Sequence, residues 1–131
     1  MRDVSLKEAL SLIHKWQDQG RIVQANFVDA EKSKEFSCTI AGLIQEAASS
    51  EFRIHTGIQL RRGDFPGCVL GLQGARFELL DYRNTPAGEE ELKMAIEQAY
   101  DYILVVHFPS GAVCELYIFN EGTQETDIFK S

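Results

Sequence analysis

The sequence predicts an α+β protein: a leading amphipathic helix, a strongly bent antiparallel sheet or small barrel, a second helix, and a C-terminal β-hairpin that completes or extends the sheet. Three observations predict it. Residues 102–119 are two β-rich apolar runs that meet at Pro109-Ser110-Gly111, the pattern of a hairpin. Ser5-Leu6-Lys7-Glu8 has the spacing of a capping box, in which hydroxyl and carboxylate each satisfy an unpaired backbone donor at a helix start. Between residues 22 and 82, short runs alternate apolar with polar residues and are separated by charged or glycine-containing turns, as half-buried strands do.

The first helix spans roughly 6–19. Leu6, Ala9, Leu10, Ile13 and Trp16 form one apolar stripe, Lys7, Glu8, Ser11, Lys15 and Asp18 face away, and Gly20 offers a left-handed stop. Val23, Ala25 and Phe27 then alternate with Gln24 and Asn26, and the polar group 29–34 separates them from a second strand carrying Phe36, Cys38 and Ile40. That strand runs on through Gly42 to about Ala47, with the glycine allowing the bend that closes a small barrel. After a turn at Ala48-Ser49-Ser50, a third strand carries Phe52, Ile54, Thr56 and Ile58, and a loop follows at 61–67. Runs 68–72 and 76–82, split by Gln73-Gly74, give a fourth and a fifth strand.

Thr85-Pro86 reads as a cap and first-turn proline, with Glu89, Glu90 and Glu91 where a helix dipole favours negative charge. Leu92, Ala95, Ile96 and Ala99 make this second helix amphipathic. In the closing hairpin a three-residue loop sets Phe108 opposite Ala112. One face then carries Tyr102, Leu104, Val106, Phe108, Ala112, Cys114, Leu116 and Ile118, without a charge, and must be core. The other carries Ile103, Val105, His107, Val113, Glu115, Tyr117 and Phe119, too apolar to be left wholly in water. It needs a cover from this chain or from a neighbour.

The 131 residues, 44% of them apolar, suit a single domain, with helix and small barrel over 5–83 and helix and hairpin extension over 84–131. A formal charge of −7 repels phosphate backbones and anionic membranes, so nucleic acid is a disfavoured partner. No run approaches the length of a membrane span. The start of the chain reads as a helix and not an export leader. Cys38, Cys68 and Cys114 are odd in number, widely spaced and set in strand-like runs, which suggests reduced core residues and a cytoplasmic setting.

Ile40-Ala41-Gly42-Leu43-Ile44, leading through a turn to Phe52-Arg53-Ile54, resembles the first motif of the Sm-like small-barrel family. Leu72-Gln73-Gly74-Ala75-Arg76-Phe77 is similar to that family's second motif. The resemblance covers roughly residues 5–82 and implies a small barrel and an RNA-binding role. It departs at the site: Ala47-Ala48-Ser49 lacks the family's nucleotide-holding acidic or amide residues, and Gln73 stands where its phosphate-contacting arginine would be. Fold and site are separable, so the barrel is the firmer implication.

His55 and His107 fall on outward strand positions, and the hairpin register places His107 diagonal to Glu115, as an acid–base or ion pair. His14 has a packing role on the first helix. Arg53, Arg61, Arg62, Arg76 and Arg83 are the basic concentration, four of them positioned for one rim of a small barrel that would receive an anion or acidic partner. Neither a metal nor a cofactor is implied, because the ligand spacings and glycine-rich phosphate loops that would announce one are missing. The favoured function is a non-catalytic interaction module, self-associating as a homodimer through Ile103, His107, Glu115, Tyr117 and Phe119. The alternatives are an Sm-like RNA binder and a small-ligand site or enzyme near His55 or His107.

Overall fold

The computed structural model describes residues 1–28, 37–49, 54–63, 65–81 and 99–124. They form β1 (Arg2–Val4), α1 (Leu6–Asp18), β2 (Ile22–Val28), β3 (Ser37–Ser49), β4 (Ile54–Arg62), β5 (Phe65–Gly71), β6 (Arg76–Asp81), β7 (Tyr100–His107) and β8 (Val113–Phe119). All eight strands belong to one sheet in the order β1-β6-β7-β8-β2-β3-β4-β5, and every neighbouring pair is antiparallel.

The cap on α1 is the one the sequence predicts: Ser5 Oγ accepts from the Glu8 N–H at 3.1 Å. Gly20, at φ 64°, ends the helix. Its N–H donates to the Gln17 carbonyl and that of Arg21 donates to the Trp16 carbonyl, both at 3.0 Å, which is a Schellman motif. Ala9, Ile13 and Trp16 are fully buried, while Leu6, at the head of the predicted stripe, is exposed.

The hairpin register is also as predicted. The Phe108 N–H donates to the Ala112 carbonyl at 2.9 Å, and Val106, Leu104 and Tyr102 oppose Cys114, Leu116 and Ile118. Side-chain rows cross the sheet from these pairs. One runs Val4–Phe77–Val106–Cys114–Phe27–Cys38 and the next Leu79–Leu104–Leu116–Ala25–Ile40. As far as β2 these rows form the main core together with α1, while Cys38 and Ile40 at their β3 ends are half-buried. Thirteen helical residues span about 20 Å, and the four strand spacings from β6 to β3 measure roughly 19 Å. The helix therefore bridges the two. It starts beside Val4, which pairs with Phe77, and ends where Gln17 Oε1 accepts from the Glu46 N–H at 2.9 Å.

This arrangement corrects the expected fold class. The described part of the chain is mostly strand in an open sheet with one helix, not an α+β fold built around a small barrel. Closing a barrel requires the two edge strands to pair, but here β1 and β5 end the sheet at opposite sides without pairing, and Ile13 and Trp16 of α1 pack into the core cluster with the sheet's side chains. Gly42 does mark a tight place, since a Cβ there would lie 2.5 Å from the Arg61 carbonyl oxygen. It permits close approach of β4 without closing the sheet. Residues 1–4 add a short strand that the sequence reading missed, because only Val4 of the three strand residues is apolar and buried. The predicted second helix, with Glu89, Glu90 and Glu91, lies outside the described residues. No helix among the described residues is long and apolar enough to cross a membrane.

The junction between α1 and β2 is held by Arg21, the buried charge of this region at 6% exposure. Its Nη1 donates to Asp101 Oδ2 at 2.6 Å and to the Phe119 carbonyl at 2.8 Å, and its Nε donates to Gln19 Oε1 at 2.8 Å. The helix end is thereby tied to the start of β7 and the end of β8. Arg21→Met strands the Asp101 carboxylate, and breaking such a buried pair costs about 3 kcal/mol. Urea unfolding should show that loss. The double variant Arg21→Met/Asp101→Leu should recover part of it, and a single variant as stable as the native protein would refute this role.

Candidate functional site

Because α1 crosses the concave face from the Phe77 end of β6 to Glu46 on β3, it leaves one corner of that face uncovered. The corner is where the first side-chain row reaches Phe27 and Cys38. A concavity of about 410 Å³ lies there. It is lined by Phe27 and Val28 of β2, Cys38 and Ile40 of β3, and Cys68, Val69 and Leu70 of β5. Phe108, Ala112 and Val113, at the β7–β8 turn, complete the lining. The sheet curls enough at this point that a Cβ on Gly67 of β5 would touch Ile40 of β3 at 3.4 Å, although β4 lies between the two strands in the hydrogen-bonded order.

The three cysteines gather around this corner. Cys114 is fully buried, whereas Cys38 and Cys68 are half-buried and line the cleft, so only one of the three is the core residue that the sequence suggested. Burial pushes the Cys114 thiol up to about 12, with the charges of Cys68 and Glu115 adding to the shift. The Cys68 thiol is also raised by burial, against a lowering by its hydrogen bond to the Leu60 backbone and with a lesser raising by the nearby Cys38. Both stay protonated near neutral pH, so neither is a thiolate nucleophile. The lining therefore presents aromatic rings, aliphatic groups and the protonated Cys68 thiol.

The predicted site residues fall elsewhere. Ile103 and Val105 lie on the outer face, buried with Leu80 in a second apolar cluster within the single chain. His107 is half-buried, and its Nε2 meets Glu78 Oε1 on β6 at 2.6 Å. The sequence paired it with Glu115, which instead accepts from the Tyr117 hydroxyl at 3.2 Å. Tyr117 and Phe119 are half-buried and flank Tyr100, with ring centroids 5.1 and 4.7 Å from it. Arg61 and Arg62 lie on β4 and Arg76 on β6, with four strands between them in the sheet order. Arg76 is engaged by Asp3 at 3.1 Å and Glu78 at 3.5 Å. His14, on the exposed side of α1, pairs with Glu46 at 3.0 Å. The backbone of His55 falls within β4, and Arg53 and Arg83 lie outside the described residues. Among the described residues no three His, Cys, Asp or Glu side chains converge as metal ligands.

The cleft escaped sequence reasoning because its residues come from four separate segments and each looks like an ordinary strand position. The one available signal was that Cys38, Cys68 and Phe108 all lie on predicted core faces near strand ends. Comparison with protein-family models, curated proteins and solved structures finds no match to this chain.

The Cys114 shift has a consequence for alkaline stability. The unfolded thiol ionises near 9.0 and the folded one near 12, so above pH 9 the unfolded state binds fewer protons and stability falls until the folded thiol ionises too. The urea midpoint should hold below pH 8 and decline from pH 9 upward. In Cys114→Ala that decline should be shallower, and an equally steep decline would refute the assignment.

Proposed function

We propose that the protein is a non-catalytic binding module that takes an apolar group into the cleft between β5 and the β7–β8 turn. The observation that carries this reading is the 410 Å³ concavity with an apolar, uncharged lining, within the range of about 300–1,000 Å³ usual for ligand sites. The neutral lining favours an uncharged apolar occupant over a phosphate, which would require cations. The protonated Cys68 thiol and the engagement of His107 with Glu78 outside the lining favour binding over catalysis.

Self-association through the outer face of the hairpin has a narrower basis. Ile103 and Val105 are already buried in the single chain, leaving the half-exposed rings of Tyr100, Tyr117 and Phe119 as its support.

Nile red, a neutral apolar dye, should fluoresce on binding the native protein. Ala112→Trp places an indole in the cleft mouth and should weaken uptake about tenfold or more, the equivalent of roughly 1.4 kcal/mol. Circular dichroism should be unchanged in that variant. Dye uptake indifferent to the substitution, or no uptake at all, would overturn the reading.

A further inference from the structure

The geometry points to an extended peptide, added as a further strand along the outer edge of β5, as the occupant of this cleft; the inference rests on the binding reading above. Cys68, Val69 and Leu70 are consecutive, so their side chains alternate across the sheet, yet all three line the same cavity. β5 ends the sheet, and on its side away from β4 it has no strand partner among the described residues. Three consecutive residues of this edge strand line the cavity and no β4 residue does, so the cavity adjoins the strand whose outer edge is unpaired.

The two ends of the sheet differ in how they treat an edge. At the far end β1 is three residues long, and its charged residues are held by Glu8 at 2.8 Å and Arg76 at 3.1 Å. Short, charged edges of this kind resist further pairing. At the near end β5 has seven residues and no charge. Pro66 and the register shift at Leu60/Arg61 blunt only its start, which leaves Gly67–Gly71 unguarded. An antiparallel strand directs alternate N–H and C=O groups to each side, and whatever displaces water from this edge must supply hydrogen-bonding partners for them. A hydrocarbon ligand supplies none, whereas a second backbone supplies them at the right repeat. The chain's charge of −7 disfavours an acidic segment. The occupant is accordingly a neutral or basic extended segment with apolar side chains at alternate positions.

The probe is the peptide acetyl-Lys-Val-Thr-Val-Thr-Val-amide, together with two versions of it, each methylated on one alternate set of backbone nitrogens. Binding of the unmodified peptide should slow hydrogen exchange at alternate amides within Gly67–Gly71. One methylated version should lose about tenfold in affinity, the effect of deleting two hydrogen bonds worth roughly 0.5–1 kcal/mol each, while the other retains it. Val69→Lys should weaken peptide binding with its thermal midpoint unchanged. Equal affinity for all three peptides, or no binding at millimolar concentration, overturns the inference. So does slow exchange across all these amides in the free protein, which would mean that the edge is already paired, by this chain or by a second copy. Nile red uptake that persists while the peptide fails confines the failure to this inference; loss of both removes the cleft reading as well.

Discussion

The fold depends on one steric fact: a single curved sheet has its hollow filled by one helix of limited length. About 20 Å of α1 reaches from β6 to β3 and no further. Trp16 and Ile13 fill the middle of the hollow so completely that both are inaccessible to water, and Trp16 packs its ring against Tyr102 at 5.5 Å. The same helix packs its buried side chains into the core formed by the sheet. Because its path is oblique, from the Phe77 row to Glu46, the hollow is filled on one diagonal and left open at one corner. The cleft is thus the part of the concave face that the helix does not reach.

Arg21 explains how the helix is held on that path. The Schellman turn at Gly20 reverses the chain, and the next residue is a cation that must be either solvated or paired. Packing against Asp101 and the Phe119 carbonyl makes the pairing long-range, joining residues 80 and 98 positions away in sequence. Buried charge pairs are weak sources of net stability but strong sources of specificity in some folds. Here the pair fixes where the helix ends relative to both strands of the hairpin.

Much of this architecture was legible in the residues. The hairpin register follows from an uncharged alternate set beginning at Tyr102 and a three-residue loop at Pro109, and the helix limits follow from Ser5 and Gly20. These signals are local, and local signals survive into the fold. Whether the sheet closes is not local. Gly42 permits curvature in an open sheet as well as in a barrel, and closure depends on whether the edge strands β1 and β5 pair, which no local pattern of residues reveals. The partner of His107 was misread for a related reason: the register of β8 is fixed by the hairpin, but Glu78 arrives from β6, outside it. The cleft was least legible because it is made by the meeting of Phe27, Cys38, Cys68 and Phe108, and no spacing links them.

The sheet also separates two kinds of surface. Ionisable side chains that would suit proton transfer, Glu78, His107 and Glu115, sit on the outer face, where each is occupied with a neighbour. The concavity that would hold a ligand sits between β5 and the β7–β8 turn, among apolar groups and a Cys68 thiol kept neutral by burial. Catalysis by those groups would need them within hydrogen-bond reach of the ligand, and none of the three lines the cleft. On the binding reading, a cleft without charged side chains, bordered by an uncharged strand edge, offers an apolar recess for side chains and a row of backbone groups to set the direction of whatever enters.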